Sequence, residues 1–139
     1  MRRRSAKKYT DVSISIFGRQ KRFRAFCDSG NLLRDPISGK LCVIARRDAI
    51  RDMLPQDISS VVVSKDMSAL SKMDAEQARR IRLIPAATAV GDGMLVALRA
   101  DGIWIGEKMG EEVDALVAVV ESERFDGECD VLLPSELLI

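Results

Sequence analysis

The longest unbroken apolar run in this chain is Ala115–Val120, far short of the ~18–20 residues that a membrane-spanning helix needs. Every other apolar run is shorter still, and turn residues bound nearly all of them. Asp11–Phe17 alternates, with Val12, Ile14 and Ile16 on one face and Ser13 and Ser15 on the other, which is the period of a half-buried strand. Gly18–Lys21 reads as a turn and Arg22–Cys27 as the returning strand. Leu41–Ala45 is continuously apolar, as a strand buried on both faces would be. Further strands are expected at Ser60–Ser64, Leu83–Val90, Met94–Arg99, Ile103–Ile105, Val113–Val120 and Cys129–Leu133. Gly91-Asp92-Gly93 and Asp101-Gly102 read as two hairpin turns. Helical spacing is confined to Asp48–Leu54, ended by Pro55, to Lys65–Arg82, where Asp74 and Gln77 resemble a capped start, and to a short helix from Pro134. About eight strands without βαβ alternation predict a mainly β fold, a compact closed barrel with one or two short peripheral helices.

Several chemistries are excluded at once. The chain has no histidine, which removes Ser-His-Asp and Cys-His catalysis and most zinc sites. Cys27, Cys42 and Cys129 are odd in number, widely spaced and set in apolar runs, so they read as reduced core residues, neither a disulfide frame nor metal ligands. No metal or other cofactor is expected. Charge is asymmetric: residues 1–24 hold nine Lys or Arg against Asp11, whereas the rest holds 13 basic and 20 acidic residues. Residues 1–10 are expected to form a basic, disordered arm, and residues 11–139 a single domain. Met1–Lys8 is not followed by an apolar stretch, so it is no secretory signal. Little aromatic interleaving in that arm argues against a nucleic-acid partner.

One stretch carries chemistry. Phe26-Cys27 leads directly into Asp28-Ser29-Gly30-Asn31. An acid at the end of an apolar strand is held by the fold and still open to solvent. Ser29 could orient the carboxylate, and Gly30 could adopt a backbone conformation that a Cβ would resist. Read chemically, this is half of an aspartic-protease site; read structurally, it is a strand followed by a polar turn. Aspartic proteolysis needs two carboxylates sharing one proton around one water. The other Asp-Gly pairs, Asp92-Gly93, Asp101-Gly102 and Asp126-Gly127, lack the intervening hydroxyl. Asp35 precedes Pro36 and reads as a turn former. If this is an aspartic protease, its single Asp-Ser-Gly therefore requires a homodimer, with one Asp28 from each copy.

Three segments resemble the sporulation sigma-E factor processing peptidases, retropepsin-like aspartic proteases of endospore-forming bacteria. They are Phe26–Ile44 with Asp28-Ser29-Gly30-Asn31 and Asp35-Pro36, Arg82–Leu95 with Gly91-Asp92-Gly93, and Cys129–Leu138 with Leu132-Leu133-Pro134. The resemblance implies a retropepsin-like barrel, Asp28 as the catalytic carboxylate, and Ser29 and Gly30 as its supporting loop. It further implies a symmetric dimer acting on a sigma-factor precursor, with an activating protein as a further partner. Gly91, Asp92 and Gly93 are the candidate flap over the substrate, and Leu132-Leu133-Pro134 the strand crossing behind the active-site loop. Trp104 reads as core or interface. Members of that family carry an N-terminal multi-span membrane domain, which this sequence lacks. It reads as the soluble domain of a longer protein at the cytoplasmic face of the inner membrane, or as a free-standing relative. The alternative from another class is a non-catalytic dimerisation or peptide-binding domain with the same fold.

Overall fold

The computed structural model describes residues 9–31, 33–64, 68–85, 93–107, 110–121 and 128–138. In chain order it contains β1 (Tyr9–Ile16), β2 (Arg19–Asp28) and β3 (Cys42–Arg46). Then come α1 (Arg47–Ile50), a 3₁₀ turn (Arg51–Met53), α2 (Gln56–Ser64), α3 (Ser68–Ser71) and α4 (Ala75–Ala78). Six strands follow: β4 (Ile81–Pro85), β5 (Met94–Arg99), β6 (Gly102–Ile105), β7 (Glu111–Glu112), β8 (Leu116–Val120) and β9 (Val131–Pro134). A 3₁₀ helix (Ser135–Leu138) completes the described residues. Among these residues no helix is long and apolar enough to cross a membrane.

All nine strands belong to one sheet, in the order β4-β5-β8-β3-β9-β2-β1-β6-β7. The sheet is open, which corrects the expected closed barrel. Its last strand, β7, is two exposed glutamates long, too short and too charged to carry the ladder on to β4. The sheet is nevertheless strongly rolled. β5 and β6 stand six places apart in the order, a span of about 29 Å in a flat sheet. Only Ala100 and Asp101 join them, a reach of at most about 11 Å. The two ends of the sheet must therefore curl toward each other.

That same link overturns the hairpin expected at Asp101-Gly102, because β5 and β6 do not pair with each other. Asp101 instead pins a corner. Its backbone N–H donates to Ser15 O at 2.7 Å, and its carboxylate accepts from the Gly18 N–H at 2.9 Å and Arg80 Nη1 at 2.8 Å. The turn before β2 is tighter than expected, with only Phe17-Gly18 between paired Ile16 and Arg19. Both residues have positive φ, 52° and 81°, as a type I′ hairpin demands.

The strand expected at Ser60–Ser64 is instead the second half of α2. Ile58, Val61 and Val62 are buried at positions i, i+3 and i+4, a helical stripe that outweighs the strand preference of consecutive valines. The long helical expectation over Lys65–Arg82 resolves into α3, α4 and the start of β4. Asp74 does cap α4, accepting from the Glu76 N–H. β1 starts at Tyr9, inside the residues expected to form the basic arm; residues 1–8 lie outside the described residues.

The core has two faces. Val12, Ile14, Ile16, Val43, Leu98, Val117 and Leu133 pack beneath the helices, while Cys42, Ile44, Ile84, Leu95, Leu116 and Ala118 fill the opposite side. β3 and β8 contribute to both, which is why their sequences are continuously apolar. Trp104 lies half-buried along β6, its indole so close over Gly102 that a Cβ there would overlap the ring.

Candidate active site

β2 and β3 run antiparallel but do not touch, because β9 lies between them. β9 is parallel to β2, pairing Cys27 with Leu133 and Asp28 with Pro134, and antiparallel to β3, pairing Ile44 with Leu132. The chain leaving β2 must therefore cross the end of β9 to reach β3. Asp28 is the last residue before that crossing. Leu132-Leu133-Pro134, expected from the sequence to support this loop, forms most of the intervening strand.

Asp28 is half-buried, and Ser29 and Gly30 are exposed. The Gly30 N–H donates to Asp28 Oδ1 at 3.0 Å, and the Asn31 N–H donates to Asp28 O at 3.1 Å. These bonds fold the loop back on the carboxylate that it follows. Gly30 is not in the left-handed region, so its backbone freedom is not the reason for the glycine. A Cβ at Gly30 would meet Asp28 Oδ1 at 3.4 Å, and its absence keeps that side of the carboxylate clear.

Asn31 has a role that the sequence did not reveal. It is buried, its Nδ2 donates to Cys42 O at 3.1 Å, and its Oδ1 accepts from the Leu33 N–H at 3.2 Å. The side chain thus ties the loop after β2 to the first residue of β3. Arg34 and Glu136 also escaped sequence reasoning, since 102 positions separate them. They form a two-pronged ion pair, with Arg34 Nη2 donating to both carboxylate oxygens at 3.0 Å.

Asp35 behaves as the turn former expected. It is 1% exposed. Its carboxylate accepts from Ser38 Oγ at 2.8 Å and from the Ile37 N–H at 3.1 Å, with Arg82 Nε 3.7 Å away. The Ser38 hydroxyl, the Ile37 and Ser38 amides and the Arg82 charge together hold its pKa below the ordinary 3.8, against the opposing effect of burial. A carboxylate with a lowered folded pKa contributes stability above its ordinary value and loses it as pH falls through the folded value. Amide exchange at Ile37 and Gly39, corrected for intrinsic rate, should therefore stay slow down to about pH 3.8 and accelerate below it. Protection already lost by pH 5 would contradict this reading of Asp35.

The neighbouring thiols are held in their protonated form. Burial pushes Cys27 up, and burial together with the Asp35 charge pushes Cys42 up to about 12. Both are therefore protonated near neutrality. Asp28, in contrast, forms no ion pair among the described residues, whereas Asp35, Asp101 and Asp130 each face an arginine. Of the candidate flap, Gly91 and Asp92 lie outside the described residues. Gly93 precedes β5 with a φ of +103°, and β4 and β5 pair antiparallel up to Pro85 and Met94.

The family whose model matches this chain is Peptidase_U4, described as Sporulation factor SpoIIGA, over residues 1–137. No curated protein and no solved structure matches it.

Proposed function

Because this chain belongs to the Peptidase_U4 family of SpoIIGA sporulation factors, a peptidase family of sporulation, we propose that it is an aspartic endopeptidase whose site two copies complete. The observation that carries this reading is Asp28 itself. It is a half-buried carboxylate at the mouth of a strand crossing, held by the Gly30 amide and neutralised by no cation among the described residues. Asp35, Asp101 and Asp130 each face an arginine, whereas Asp28 faces none among the described residues.

One carboxylate cannot both deprotonate water and polarise a peptide carbonyl. A second copy, related by a twofold axis, supplies the partner Asp28. One of the pair then takes the proton of the attacking water while the other, protonated, hydrogen-bonds the carbonyl oxygen. Ser29 and Gly30 support each loop, and Gly91, Asp92 and Gly93 cover the substrate as a flap. The chain from Tyr9 onward acts as one retropepsin-like domain. The substrate is a sigma-factor precursor, cut within its pro-segment near the inner membrane, with an activating protein as a further partner.

Subunit mixing tests the shared site. Inactive chains carrying Asp28→Asn, added in about ninefold excess and re-equilibrated, should lower precursor cleavage by the wild type about tenfold, because few wild-type pairs survive random pairing. Cleavage that stays unchanged by the excess would mean that each copy works alone.

A further inference from the structure

We infer that the Arg34–Glu136 pair is a positioning device for the Asp28 loop, an inference that rests on the proteolytic reading above. Each partner leaves the Asp28–Pro134 pairing by a different path. Arg34 lies in the loop that follows Asp28, and Glu136 lies in the 3₁₀ helix that follows Pro134. Their two hydrogen bonds of 3.0 Å close a ring across the end of the sheet, with the β2–β9 ladder as its other side. Arg34 is fixed on its own loop as well. Its Nη1 donates to Gly39 O at 3.0 Å, and its backbone bridges to Leu41 beside β3. The guanidinium therefore fastens the Arg34–Gly39 part of the loop to the helix.

Energy argues that this pair acts on geometry more than on stability. Arg34 and Glu136 are 48% and 47% exposed, and ion pairs that open to solvent contribute little to folding. One rigid guanidinium plane nevertheless fixes direction and distance, because its Nη2 reaches both Glu136 oxygens while its Nη1 holds Gly39 O. A shared site formed by two loops is sensitive to such placement, since a displacement of about 1 Å can cost about a hundredfold in rate.

The test compares kcat and KM for precursor cleavage in wild type, Arg34→Glu, Glu136→Arg and the double reversal. Arg51→Ala, which breaks the remote Arg51–Asp48 pair, is the control. Each single reversal should lower kcat roughly tenfold to a hundredfold while KM and melting temperature stay near wild type. The double reversal should recover the share of the loss that the ion pair carries, though not the bond to Gly39 O, which a carboxylate at position 34 cannot make, and Arg51→Ala should change nothing. Single variants as fast as an active wild type, a double variant no better than the singles, or losses that track melting temperature would each overturn the inference. Equal cleavage by Asp28→Asn overturns the proteolytic reading instead, and a silent wild type means that the activating protein proposed above is missing from the assay. Exchange at the Gly30 and Asn31 amides then judges the pair alone: it accelerates in Arg34→Glu if the pair positions the loop, and is unchanged if it does not.

Discussion

Asp28→Asn is expected to lower precursor cleavage by roughly 10³-fold or more while leaving the fold intact. The amide matches the carboxylate in shape, and its oxygen can still accept the Gly30 N–H that now lies 3.0 Å from Asp28 Oδ1. No ion pair of the described residues is broken by the change, so stability should stay within about 1 kcal/mol of wild type. On the proposed mechanism, what disappears is the proton exchange between two carboxylates on which attack by water depends. The measurement is a matched pair: melting temperature and dimer fraction by sedimentation, then cleavage of a purified precursor near pH 7. Preserved folding with cleavage lost supports Asp28 as the reacting group. Wild-type rates from a fully folded Asp28→Asn would remove it from the chemistry.

The position of Asp28 at the end of β2 was legible in the sequence because its signal is local: an apolar strand, an acid, a hydroxyl residue and a glycine in succession. Short-range order was legible for the same reason, as the alternation of Val12, Ile14 and Ile16 and the capping by Asp74 both illustrate. The errors arose where tertiary packing decides. Three consecutive valines favour a strand until Ile58 joins Val61 and Val62 in one buried helical stripe. Asp101-Gly102 has the composition of a hairpin tip, yet it carries the chain between strands six places apart, a placement fixed by Gly18, Ser15 and Arg80. Closure of the sheet could not be read at all, since it depends on whether β7 is long enough to reach another edge. The supports of the site, Asn31 on Cys42 and Arg34 on Glu136, are pairings between segments that only the strand crossing brings together.

Leu133→Ala should be the most damaging of the conservative core substitutions for the site. Leu133 is fully buried in the one strand that β2 and β3 both rest on, and it stands opposite Cys27, the residue before Asp28. Truncating a buried leucine removes its transfer energy and leaves a cavity, at a cost of about 2–5 kcal/mol. That is a large part of the roughly 5–15 kcal/mol that holds a domain together, and it should lower the melting temperature by roughly 10 °C or more. Ile58→Ala on α2 provides the comparison, because Ile58 is equally buried but lies away from the crossing. If β9 is the seat of the active-site loop, the two variants lose similar stability but differ locally. Exchange at the Asp28 and Asn31 amides should accelerate in Leu133→Ala well below its melting temperature and stay slow in Ile58→Ala. Leu133→Met, which nearly conserves volume, should restore both stability and protection. Identical exchange in the two alanine variants would show that the loop holds its shape without β9 beneath it, leaving Asn31 and the Arg34–Glu136 pair as its remaining supports.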